Sequence, residues 1–263
     1  MLLAIPFRDD TPAHQPPVVT YGLVAVCTVV FLWQLSLGPS GVERSAVGLG
    51  MIPAVLFGAA HLPARLALVA PPVTLVTSMF LHSGWLHLIG NMIYLFVFGK
   101  GVESALGSLR FLVFYLLCGI VAALTQALTE PTATLPMVGA SGAIAGVLGA
   151  YLVLYPFGNV FVFFWIIIII RIVAVPAILL LGFWFLMQLL SASESLGVGG
   201  VAVWAHVGGF IAGMILLPFM RQRSVAMLQA PRTRSFAISN PRDARWRGSV
   251  PPAGRPWQRG PWR

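Results

Sequence analysis

The sequence predicts an all-α membrane protein, a bundle of six transmembrane helices with a long loop between helices one and two. Three observations carry that expectation. First, 58% of the 263 residues are hydrophobic and only 9% are charged, with a mean hydropathy of +0.90. A soluble domain carries roughly 25% charged residues. This chain lacks the charge to cover a water-facing surface of its size, which excludes soluble, disordered and collagen-like classes. Second, apolar runs close to the roughly 20 residues that cross a bilayer recur along the chain. Third, six crossings sort the basic residues almost entirely onto one side.

In chain order, the first span covers about 19–37, VTYGLVAVCTVVFLWQLSL. The connection over about 38–83 holds apolar fragments such as MIPAVLFGAA, but prolines and Arg65 interrupt it. It is expected in the interface or partly folded into the membrane. The second span, about 84–103, opens GWLHLIGNM, and the third covers about 109–128. A Pro/Thr loop, TEPTATLP, leads to the fourth, about 139–156, which opens GASGAIAG. The apolar block from Asn159 to Leu190 has 32 residues. One span needs about 20, and two need about 40 plus a turn. Arg171 and Pro176 divide the block into an interfacial connection over 157–175 and a fifth span over about 176–191. The loop SASESLGVGG then leads to the sixth, about 201–219.

The net charge of +9 resides in residues 221–263, where ten arginines face one acid, Asp243; the rest of the chain is balanced. With six crossings, Arg8, Lys100, Arg110, Arg171 and the tail arginines share the side of both termini. Only Arg44 and Arg65 fall on the other. The positive-inside rule then puts both termini in the cytoplasm. The expected organisation is a cytoplasmic segment over 1–18, a membrane domain over 19–220 and a disordered basic tail over 221–263. Localisation is expected in the plasma or inner membrane. The tail reads as a cytoplasmic anchor able to touch anionic lipid head groups; nucleic acid is not expected as a partner. Cys27 and Cys118 lie in apolar runs and read as small hydrophobes. The N-terminus, MLLAIPFRDD, has no basic stretch before an apolar one and does not read as a signal peptide. His14 and His61 read as loop histidines.

Polar side chains inside apolar spans are expensive and are functional candidates by default. The most informative are His82, His87 and Asn91 around span two, Ser141 in span four and His206 in span six. Spans two, four and six run inward from the non-cytoplasmic side, and the three residues His87, Ser141 and His206 lie near the starts of their spans. At about 1.5 Å rise per residue they enter the same leaflet at similar depth. A serine hydroxyl needs a base for its proton, and imidazole serves near neutral pH. The acids sit in termini, loops or at span ends, so a Ser–His dyad is expected rather than a triad. Ser141 near a helix N-terminus, and His87 with Asn91 four residues apart on one helix face, are placed to supply donors to an oxyanion. Singly, each has a structural reading: backbone bonding for the serine, interhelical polar contact for His87 and Asn91, close helix packing for the glycines. Their convergence at one depth favours the functional reading. No H-E-x-x-H pattern occurs, and G-x-S-x-G fails at Ala143. No cofactor or metal is expected.

These residues resemble the rhomboid family of intramembrane serine proteases. The match comprises Gly139-Ala-Ser141-Gly142, then Ala205-His206 followed by Gly209 and Gly213, and His82, His87 and Asn91 entering helix two. Gly99, Glu103 and Gly107 resemble that helix's G-x-x-x-E-x-x-x-G end. Order, spacing and span number agree over about 70–220, and the basic tail lies outside. The resemblance implies Ser141 as nucleophile, His206 as base and later acid, and an oxyanion hole of His87, Asn91 and the Ser141 backbone N–H. It implies structural roles for His82, Gly139, Gly142, Glu103, Gly209 and Gly213. It also implies membrane-protein substrates cut at a transmembrane helix near its non-cytoplasmic boundary, entering beside helix five. Some relatives carry an aromatic residue four after the serine, packed on the catalytic histidine. Ala145 stands there in this chain, so another group must support the His206 ring; Trp204 should face elsewhere. The alternatives are a catalytically inert relative that binds membrane proteins, disfavoured because serine and histidine are both present, and a transporter, disfavoured because the polar groups cluster on one side.

Overall fold

The computed structural model describes residues 2–11, 15–166, 169–194, 202–231, 233, 235 and 238–239. His14 and most of the Arg-rich tail lie outside the described residues. The chain opens with a strand, β1 (Leu2–Asp9), followed by α1 (Val18–Ser36). The connection after α1 is built from α2 (Gly38–Leu49), α3 (Pro53–Leu56) and α4 (Thr74–Thr77), with 3₁₀ turns at Pro71–Val73 and Ser78–Phe80. Then come α5 (Trp85–Leu106), α6 (Ser108–Thr129) and α7 (Ser141–Leu154). Two strands, β2 (Asn159–Ile166) and β3 (Ile169–Pro176), precede α8 (Ala177–Glu194) and α9 (Val203–Met220), and β4 (Ile238–Ser239) follows. By length and composition α1, α5, α6 and α9 can cross a membrane, while α7 and α8 are shorter apolar helices.

The central helix is α7. Its composition explains why: Gly142, Ala143, Ala145, Gly146, Gly149 and Ala150 leave little side chain to hold neighbours off, and all six are buried. A helix apolar on every face belongs inside a bundle. The closest packing is with α9. A Cβ placed on Gly209 or Gly213 would overlap the carbonyl oxygens of Gly142 and Gly146. Small residues at such crossings let backbones touch, which replaces the missing hydrophobic drive within lipid. By contrast, α8 leaves Ile178, Leu179, Phe183, Leu186, Met187, Leu189 and Leu190 exposed, an apolar flank suited to lipid.

The far ends of α5 and α6 are tied to α1 by Glu103. Its carboxylate accepts the backbone N–H groups of Val19 and Thr20 (2.9 and 2.7 Å), the Thr20 hydroxyl (2.7 Å) and the Ser108 hydroxyl (2.7 Å). A buried carboxylate thus caps the first turn of α1, where orphan N–H groups and the helix dipole both favour negative charge.

The all-α expectation is corrected by a four-stranded antiparallel sheet, in the order β1-β2-β3-β4. Residues 157–175, read from sequence as an interfacial connection, form most of a hairpin in which Asn159 pairs with Pro176 and Ile166 with Ile169. Valine, isoleucine and aromatic residues dominate this stretch, and their stiff or bulky side chains favour the pleated strand over the helix. The N-terminal strand pairs along β2 from Leu2↔Ile166 to Asp9↔Val160, with the register broken between Pro6 and Arg8, where proline lacks an N–H. Asp10 extends this junction by accepting from the Asn159 N–H (2.9 Å). Part of the segment expected to be disordered from 221 also carries specific bonds: Gln222 N–H to the Ala105 carbonyl, Leu228 N–H to Val153 and Gln229 N–H to Leu154.

Candidate active site

Ser141 is the first residue of α7, and His206 lies in the first turn of α9. The close α7–α9 crossing brings Ser141 Oγ to 2.8 Å from His206 Nε2. The turn into α7 depends on Gly139, whose φ of +129° is one that side chains rarely allow. A Cβ there would also fall 2.7 Å from both Cε1 and Nε2 of His87. The His87 ring edge therefore faces the turn that carries the serine.

The Ser83 backbone N–H (3.4 Å) donates to His87 Nδ1, and the Ser83 hydroxyl lies 3.0 Å from it. With Nδ1 accepting, the ring proton sits on Nε2, on the edge that faces Gly139. Asn91 is buried on α5, and its Nδ2 has no hydrogen-bond partner among the described residues. His82 is fully buried, its ring centroid 5.2 Å from that of His87. It lies in the connection before α5, where burial, with a smaller contribution from charge on His87, pushes its pKa down to about 4. It is a neutral packing partner one ring removed from Ser141 and His206.

An aromatic ring from α8 lies beside His206. The Trp184 ring, from α8, lies 5.9 Å away between centroids and is tilted by 42°. One turn further along α8, Gln188 Oε1 lies 2.8 Å from His206 Nδ1. At the start of α9, Gln126 Oε1 accepts the Ala205 N–H (3.2 Å). Sequence reasoning passed over Gln188, Trp184 and Gln126. For Gln188 and Gln126 the available signal is an uncharged polar side chain within an apolar run; Trp184 carries no such signal.

An open cleft of about 910 Å³ reaches this cluster, lined in part by Ser83, His87, Gln126, Gly139, Ser141 and His206. Ser141 and His206 both line it. Among the described residues no three His, Cys, Asp or Glu side chains converge as metal ligands would.

The Rhomboid domain family model matches residues 71–223, more than half of the sequence and inclusive of every side chain in the cluster. The chain belongs to the rhomboid family. Rhomboid protease GluP of Bacillus subtilis is 44% identical over 78 residues, 30% of this chain and 15% of that protein. Rhomboid-like protease 5 of Toxoplasma gondii is 35% identical over 150 residues, 57% of this chain and 16% of that protein. RHOMBOID-like protein 5 of Arabidopsis thaliana is 40% identical over 78 residues, 30% of this chain and 25% of that protein. The matched stretch thus spans a quarter or less of each of these relatives. As a rhomboid with long apolar helices, this chain is an integral membrane protein.

Proposed function

We propose that this rhomboid is a serine endopeptidase that cleaves transmembrane-helix substrates near the non-cytoplasmic membrane boundary by a Ser141–His206 dyad. The 2.8 Å approach of Ser141 Oγ to His206 Nε2 carries the reading. In the reaction, the hydroxyl donates its proton to Nε2 as Oγ attacks the scissile carbonyl. Charge then develops on the carbonyl oxygen. The Nε2–H of His87, the unpartnered Nδ2 of Asn91 and the N–H of Ser141 at the start of α7 are the donors for it. The imidazolium returns the proton to the leaving amine. Water entering the cleft hydrolyses the acyl-enzyme with His206 again as base.

A peptide bond within a helix is shielded and hydrogen-bonded, so the substrate must unwind locally before attack. Small or helix-breaking residues at the cut site lower that barrier. Access from the non-cytoplasmic side follows from the charge distribution, with both termini cytoplasmic and six crossings.

The test is cleavage of a single-span substrate in liposomes. Ser141→Ala and His206→Ala are expected to abolish turnover, a loss on the order of 10⁶-fold where a nucleophile or its base is removed from a hydrolase, while leaving the fold intact. Undiminished cleavage by either variant defeats the mechanism. A wild-type protein that neither cleaves nor reacts with a fluorophosphonate would instead favour an inert, binding role.

A further inference from the structure

We infer that Gln188 of α8 is the positioning residue for the His206 base, holding the imidazole in the tautomer that can accept the serine proton. The inference rests on the dyad proposed above and adds a third group to it.

The geometry is a chain of three. Ser141 Oγ meets His206 Nε2 at 2.8 Å, and His206 Nδ1 meets Gln188 Oε1 at 2.8 Å. A neutral imidazole carries one N–H, and the partner of one ring nitrogen decides which. An amide oxygen can only accept, so it selects the Nδ1–H form. Nε2 then keeps its lone pair, aimed at the serine hydroxyl. The opposite tautomer would point an N–H at Ser141 Oγ, and the ring could not act as its base. After proton transfer the Nδ1–H still rests against the amide dipole, which favours the imidazolium.

The choice of an amide fits the surroundings. A carboxylate at this position would have to remain ionised beside an apolar helix flank, where charge is expensive. Glutamine supplies the same acceptor without charge. Among the described residues, the ionisable side chains that share the cleft with His206 are His87 of α5, whose Nδ1 accepts from the Ser83 N–H, and Glu130 just beyond α6. Ring rotation is limited from the same helix. Trp184 and Gln188 are four residues apart and share one face of α8, so one helix supplies both the hydrogen bond at Nδ1 and the aromatic wall. In a segment reading FWFLMQLL, Gln188 is a lone polar side chain, and this contact gives it a reason to be there.

The experiment measures kcat and KM across pH for a single-span fluorogenic substrate in liposomes. It compares wild type, Gln188→Met, Gln188→Glu and Ser141→Ala, with thermal unfolding recorded for each. Gln188→Met, close in volume and compatible with lipid, is expected to lower kcat by about 10- to 10²-fold, the effect of losing one orienting hydrogen bond, with KM within about 2-fold. Gln188→Glu is expected to recover turnover relative to Gln188→Met and to move the acidic limb of the pH–rate profile to higher pH, because a carboxylate beside Nδ1 favours the protonated ring. Wild-type kcat in Gln188→Met overturns the inference. So does equal impairment of both variants with an unmoved pH profile, which would mean packing alone. Full cleavage by Ser141→Ala is a different result: it removes the dyad, and this role with it.

Discussion

Asn91 presents a buried amide nitrogen with nothing among the described residues to receive its hydrogens. Leaving such a donor unpaired costs about 1–3 kcal/mol, and that cost is recovered only when an acceptor arrives. Under the proposed mechanism an oxyanion formed at Ser141 is that acceptor, and a stronger one than the ground-state carbonyl. Asn91→Ala is therefore expected to lower kcat by about 10²–10³-fold with little change in KM; a loss under tenfold in steady-state kinetics would remove Asn91 from the oxyanion hole. At this scale the residue types were legible in the chain. Ser141, His206, His87 and Asn91 stand out because each is polar within an apolar run. Gln188 carries the same signal, but it belongs to no short motif and its partner lies 18 residues away on another helix. Trp184 could not be told from the other aromatic residues of α8 without the contact it makes.

Helix packing sets the distance on which the chemistry depends. Where α9 crosses α7, carbonyl oxygens of one helix occupy the space that side chains of the other would fill at Gly209 and Gly213. Gly213→Val is expected to push the helices apart, to destabilise the protein by about 1–3 kcal/mol as overpacking does, and to depress cleavage by drawing His206 away from Ser141. Thermal unfolding in detergent and cleavage in liposomes check both parts. Gly182→Ala provides the contrast: nothing lies within 4 Å of a Cβ at that site, so stability and cleavage should hold. The glycine spacing in the sequence already indicated a close crossing. The hairpin did not announce itself in the same way. Its residues are as apolar as a span, and its first partner, β1, lies some 150 residues earlier in the chain. Strand pairing of that kind is a long-range property which local periodicity does not contain.

For the molecule as a whole, the distribution of charge makes a prediction about orientation. If the chain crosses six times, as proposed, its basic residues sort to the side of both termini, and the positive-inside rule predicts a cytoplasmic C-terminus. A C-terminal reporter that is active only in the cytoplasm is expected to be active on this chain; a reporter found outside would overturn both the orientation and the non-cytoplasmic placement of the cleft. What the amino-acid order determined without help was the solvent, the position of the apolar runs, the charge asymmetry and the chemical types available for a site. These are sums and periodicities along the chain, and they survive without knowledge of contacts. What only the tertiary structure decided was which side chains meet: Ser141 with His206 across two helices, Gln188 with the far nitrogen of that ring, and the N-terminal strand with the hairpin. Hydrogen bonds act over about 3 Å, a scale set by helix crossings and strand register rather than by position in the sequence.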